Sequence, residues 1–106
     1  MKTLDPDTFT PDAVVSELLD GSGAVRFPGL FSEDQITEAR RIIEDATSDE
    51  TFTGSHFNQD DDDALLQRRV WNLFNKGTVF CDMVQHPAIV ASMRAVLGTD
   101  FIVGSY

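Results

Sequence analysis

The sequence predicts an α+β fold, on three observations. Helix starts are marked by capping residues and prolines, short apolar runs are bounded by Gly and Pro, and a further apolar run stands at the end of the chain. The scale is that of one small domain: 106 residues, 42% hydrophobic and with eight Phe, suffice for one modest core and not for two.

The first helix is expected over 11–20. Thr10 is its N-cap, Pro11 takes the first helical position where its missing N–H costs nothing, and Val14, Val15, Leu18 and Leu19 recur with helical spacing before Gly21 stops it. A strand over 23–27 follows, partly alternating and closed by Pro28.

The next helix, over 33–46, opens on a capping box of Ser32 and Gln35, with Phe31 placed to pack on Ile36. Ile36, Ala39, Ile43 and Ala46 form its apolar stripe, and Glu38, Arg40, Arg41, Glu44 and Asp45 stay in water. The stretch 47–63 is polar, contains Gly54 and ends in Asp60-Asp61-Asp62-Asp63, which reads as a long loop suited to facing a substrate.

Leu65-Leu66, Arg69-Val70 and Leu73-Phe74 fit helical spacing, while 69–74 equally fits a β-branched and aromatic strand closed by Asn75-Lys76-Gly77. Periodicity does not decide between them, and 69–74 enters the expected architecture as a strand. A short helix over 79–85 turns Val79, Phe80, Met83 and Val84 inward. His86-Pro87 breaks it and starts the last helix, 87–97, which packs Ile89, Val90, Met93, Val96 and Leu97, carries Arg94 near its negative end and stops at Gly98. Residues 100–106 form an apolar strand that reaches Tyr106 with no turn or cap, so the chain reads as cut short of that strand's partners.

Eighteen Asp and Glu against eight Lys and Arg give a formal charge of −10, a field that repels phosphates and anionic headgroups, so neither nucleic acid nor a membrane surface is an expected partner. No apolar run reaches the roughly 20 residues of a membrane span, the N-terminus lacks the pattern of a signal peptide, and the single Cys81 excludes an internal disulfide. A cytoplasmic location is expected.

Candidate chemistry is sparse. A mononuclear iron site wants two imidazoles and a carboxylate, yet His56-Phe57-Asn58 offers an amide in the carboxylate position, and His86 before a proline is placed to cap or pack. The Asp run does not make an EF-hand, because a loop starting at Asn58 has Asp63 where glycine is needed and Arg69 where a bidentate Glu is needed. Cys81, beside Phe80 and Met83, reads as a buried inert thiol. Arg68, Arg69, Trp71, Asn72 and Lys76 cluster cations with a ring and an amide, suited to a carboxylate or to bridging the Asp run.

Taken in order, several of these segments resemble the N-terminal portion of the phytanoyl-CoA dioxygenase family of Fe(II)- and 2-oxoglutarate-dependent oxygenases. The carrying residues are Gly23-Ala24-Val25-Arg26-Phe27-Pro28-Gly29-Leu30-Phe31-Ser32, the Ile36 to Ala46 helix, Arg69-Val70-Trp71-Asn72-Leu73-Phe74, Phe80 with His86-Pro87, and the run from Val96 to Tyr106. The resemblance covers about residues 15 to 106.

It implies the helices and first strands of a double-stranded β-helix, a jelly roll, as the N-terminal part of a single oxygenase domain. The parent would be an Fe(II)- and 2-oxoglutarate-dependent dioxygenase hydroxylating a small organic substrate. The family's His-x-Asp/Glu pair, distal His and 2-oxoglutarate-binding Arg all fall beyond Tyr106, so this piece alone is expected to hold no catalytic residue, metal or cofactor, and its principal partner is the C-terminal part of the same fold. Residues expected to contact cosubstrate or substrate are Asn72, Trp71, Phe74, Ser105 and Tyr106. The alternative is a ligandless acidic module that binds a protein by adding a strand at 101–106.

Overall fold

The computed structural model describes residues 1–49 and 70–104, and over these the chain is helix-rich with two short parallel strands. The elements in order are β1 (Lys2–Thr3), α1 (Pro11–Leu19), β2 (Val25–Arg26), α2 (Glu33–Asp49), a 3-10 turn (Leu73–Asn75), α3 (Thr78–Val84) and α4 (Pro87–Leu97). They fall into two compact units, one of residues 1–32 with 82–104 and one whose described residues are 33–49 and 70–81.

In the first unit α1 starts as its sequence dictates: the Thr10 side chain accepts the N–H of Ala13 at 3.3 Å and Pro11 occupies the first turn. Val14 points into the core at 1% exposure, and α1 packs on α4, which buries Ala88 and Ser92. Burying the Ser92 hydroxyl leaves no orphan, since it donates to the Ala88 carbonyl at 2.7 Å. Gly23, at φ 79°, turns the chain after α1 and donates its N–H to the Glu17 carbonyl at 3.0 Å.

The strand expected over 23–27 is confined to Val25–Arg26, because its partner β1 supplies only Lys2 opposite Val25 and Thr3 opposite Arg26, with one further bond from Leu4 N–H to the Arg26 carbonyl at 2.9 Å. Phe27 leaves the ladder and packs its ring at a tilt of 59° against Phe9, ring centroids 4.9 Å apart. β1 was not expected at all. Nothing in Lys2-Thr3 alternates, and its strand geometry comes from pairing with a segment more than twenty residues on.

The start of α4 is capped by a ring. His86 Nδ1 accepts the N–H of Ala88 at 3.1 Å, which fixes its N–H on Nε2, and the Phe31 ring meets it edge-on. At the other end Gly98, at φ 86°, donates its N–H to the Arg94 carbonyl at 2.9 Å.

The strand expected over 100–106 is not formed over its described part. Residues 100–104 pair with nothing among the described residues, and Ile102 stands 87% exposed; a strand needs a neighbour to satisfy its N–H and C=O groups. Ser105 and Tyr106 lie outside the described residues.

In the second unit α2 runs three residues further than expected, to Asp49, so Thr47–Asp49 is helix and not loop. Thr47 is tolerated there because its buried hydroxyl donates back to the Ile43 carbonyl at 2.9 Å and the Glu44 carbonyl at 3.1 Å. Residues 50–63, the remainder of the expected loop, lie outside the described residues.

The buried line of α2 is also displaced from the expected stripe. Ala39 and Ile42 are buried, whereas Ile36 and Ile43 remain 44% and 38% exposed. Both lines satisfy helical spacing, and the approach of Gly77 to Ile42 selects the one through Ile42. On the solvent side Arg41 forks onto Glu38 at 2.7 and 3.0 Å and reaches Asp45 at 3.1 Å.

The expected strand 69–74 is corrected over its described part. Val70 to Asn72 has no strand pairing and Leu73–Asn75 is a 3-10 turn, because Asn72 adopts φ 60°, ψ 45°, a left-handed conformation that ends any extended run. Arg69 is outside the described residues.

Candidate functional site

The candidate site is the turn that carries Trp71, Asn72 and Phe74 in the second unit. Its geometry starts with Asn72, the one non-glycine residue with positive φ among the described residues. Asparagine tolerates this region better than residues with bulkier or branched side chains, and here its side chain closes the turn as well. Asn72 Oδ1 accepts from Asn75 Nδ2 at 3.0 Å, and the Asn72 carbonyl accepts the Asn75 N–H at 3.1 Å.

The turn is continued by Lys76 and Gly77, whose N–H groups donate to the Leu73 carbonyl at 2.9 and 3.3 Å. Gly77 then sits against α2: a Cβ there would stand 2.5 Å from Ile42 Cδ1 and 3.7 Å from the Phe80 ring. With Val79 and Phe80 buried just beyond, the turn is anchored at its C-terminal side.

What the turn presents outward is aromatic. Trp71 is 56% exposed and Phe74 is 37% exposed. Such rings offer apolar faces, and the indole adds one N–H donor, which suits contact with a ligand and supplies neither nucleophile nor general base. Cys81 is half-buried and not fully buried as expected, with its sulfur 4.0 Å from the Phe74 carbonyl.

Of the residues expected to contact cosubstrate or substrate, the structure brings Trp71, Asn72 and Phe74 into this one turn, and Ser105 and Tyr106 lie outside the described residues. His56, Asp60–Asp63, Arg68 and Arg69 also lie outside them. Lys76 is half-buried at the end of the turn. His86 serves as a helix cap in the other unit. Sequence reasoning missed Asn75 and Gly77 as parts of the site; the signal was available in Asn72-x-x-Asn75 followed by glycine, the pattern of a self-closing turn.

Among the described residues no three His, Cys, Asp or Glu side chains gather where they could hold a metal ion. Two carboxyls are held below their ordinary range. Glu17 is lowered by the Ser22 hydroxyl and then its N–H, and Glu38 by the Arg41 guanidinium, which is itself raised. Both serve local structure on exposed surface.

No family model, curated protein or solved structure matches the chain. No helix among the described residues is long and apolar enough to cross a membrane.

Proposed function

We propose that the chain is the N-terminal portion of a cytoplasmic non-haem Fe(II)- and 2-oxoglutarate-dependent dioxygenase that hydroxylates a small organic substrate. On this reading the fold is the helical lead-in and first strands of a double-stranded β-helix. The C-terminal part of the same fold supplies the iron ligands and the 2-oxoglutarate site, and this portion contributes supporting wall, with the Trp71 turn as its contact surface.

The sequence resemblance, running in order from Gly23-Ala24-Val25-Arg26-Phe27-Pro28 to the run ending at Tyr106, motivates the reading. The observation that supports it in the structure is the exposure of Ile102, 87%, and Val103, 47%, in a stretch without a strand partner among the described residues. Apolar side chains and backbone polar groups left open together favour the addition of neighbouring strands.

The test is the intact mass of the natural protein together with its coding sequence past Tyr106. Continuation into a His-x-Asp or His-x-Glu pair is expected. The complete protein, given Fe(II), 2-oxoglutarate, oxygen and a substrate R–H, should then form succinate, carbon dioxide and R–OH in equal amounts. A natural terminus at Tyr106 overturns the reading and leaves a non-catalytic module that binds a protein through residues 101–106.

A further inference from the structure

We infer that Asn72 is a positioning residue, whose left-handed backbone fixes the direction in which Trp71 is presented. That this turn faces a ligand rests on the oxygenase reading above; that Asn72 sets the turn does not. At φ 60°, ψ 45° a Cβ is crowded by a carbonyl oxygen, a cost that Gly escapes and that Asn and Asp, with short polar side chains able to hydrogen-bond locally, bear best.

The Asn72 side chain is already occupied within the turn, its Oδ1 taking the amide of Asn75 at 3.0 Å. The exposed groups are the rings on either side of it, Trp71 at 56% and Phe74 at 37%. Because Gly77 is seated on Ile42, a change at Asn72 cannot be absorbed by sliding the C-terminal side of the turn, and the displacement is delivered to Trp71.

Trp71 is the single tryptophan of the chain, so its fluorescence reports the turn directly. The experiment compares Asn72→Gly, Asn72→Asp and Asn72→Ala in the full chain by thermal unfolding and by acrylamide quenching of Trp71. Asn72→Asp and Asn72→Gly, which accept positive φ, should keep the quenching constant of the parent. Asn72→Ala should change it and lower Tm by about 4–8 °C, the shift expected when an ordinary side chain is forced into this region.

If Asn72→Ala fails to fold while Asn72→Gly folds, the inference stands. It is overturned if alanine and glycine behave alike in both measurements, or if glycine is the worse of the two. Neither readout uses iron, 2-oxoglutarate or turnover. Failure here therefore leaves the oxygenase reading in place, and a natural terminus at Tyr106 leaves the role of Asn72 in place.

Discussion

His86 Nδ1 accepts the backbone N–H of Ala88 at 3.1 Å, with Pro87 between them filling the first position of α4. An imidazole here does what Ser, Asp or Asn does at most helix starts, removing one orphan donor. His86→Ala should therefore cost about 0.5–2 kcal/mol. For a domain of this size each kcal/mol lowers Tm by roughly 4–8 °C. His86→Asn, a better cap without the ring, should recover most of the loss, and the residue left unrecovered measures the edge-on contact with Phe31. Circular dichroism melts of the two variants decide it; an Asn variant no more stable than the Ala variant would remove the cap from the account.

Acid sensitivity follows from Glu17. Its carboxyl lies below the ordinary carboxylate range because the Ser22 hydroxyl donates to it at 2.6 Å and the Ser22 N–H at 3.3 Å. A carboxyl lowered in the folded state adds stability above the pKa it has in the unfolded chain, and that contribution disappears as pH falls through the folded-state pKa. Ser22→Ala should move the Glu17 titration up toward the ordinary value while leaving the N–H bond, and Glu17→Gln should abolish this part of the acid limb. The pair is exposed, so the effect on total stability is small and the proper readout is the side-chain NMR titration of Glu17. A Glu17 curve unmoved by Ser22→Ala would place the cause elsewhere.

The same logic applies to Glu38, lowered by the hydrogen bond from Arg41 and then by its charge. Arg41→Lys keeps the charge and loses the two-pronged geometry seen at 2.7 and 3.0 Å. Glu38 should titrate higher in Arg41→Lys than in the parent, and higher still in Arg41→Ala. Equal titration in the parent and the lysine variant would mean that charge alone holds Glu38 down.

Helix ends were legible in the sequence because capping is local: Thr10-Pro11, His86-Pro87 and Gly98 each act within one turn of their own position, and all three act as caps in the structure. Strands were less legible, since a strand is defined by a partner. Lys2-Thr3 becomes β1 only because Val25-Arg26 lies beside it, and residues 101–104 pair with nothing among the described residues despite a composition rich in strand formers. Within the candidate site, Trp71, Asn72 and Phe74 were named through the family resemblance, as part of an expected strand. The left-handed Asn72 that makes them a turn depends on closure by Asn75 and on the seat of Gly77, a relation between Gly77 and Ile42 that spacing along α2 could not single out.

That seat is open to a test in which the sign of the effect changes with background. Gly77 has no positive φ, so alanine there is permitted by the backbone and would by itself stabilise the chain by about 0.4–1 kcal/mol through the unfolded state. Against this, the added Cβ would lie 2.5 Å from Ile42 Cδ1, and Ile42 is only 9% exposed, with little room to swing away. Overpacking of this kind costs about 1–3 kcal/mol, so Gly77→Ala should be net destabilising in the parent. Ile42→Val removes the clashing Cδ1 and should cost about 0.5–1.5 kcal/mol alone. In the Ile42→Val background the clash is gone, and Gly77→Ala should become neutral or stabilising. Denaturant unfolding of the four chains of this cycle gives the coupling directly, and additive effects of the two substitutions would show that Gly77 does not meet Ile42 in solution.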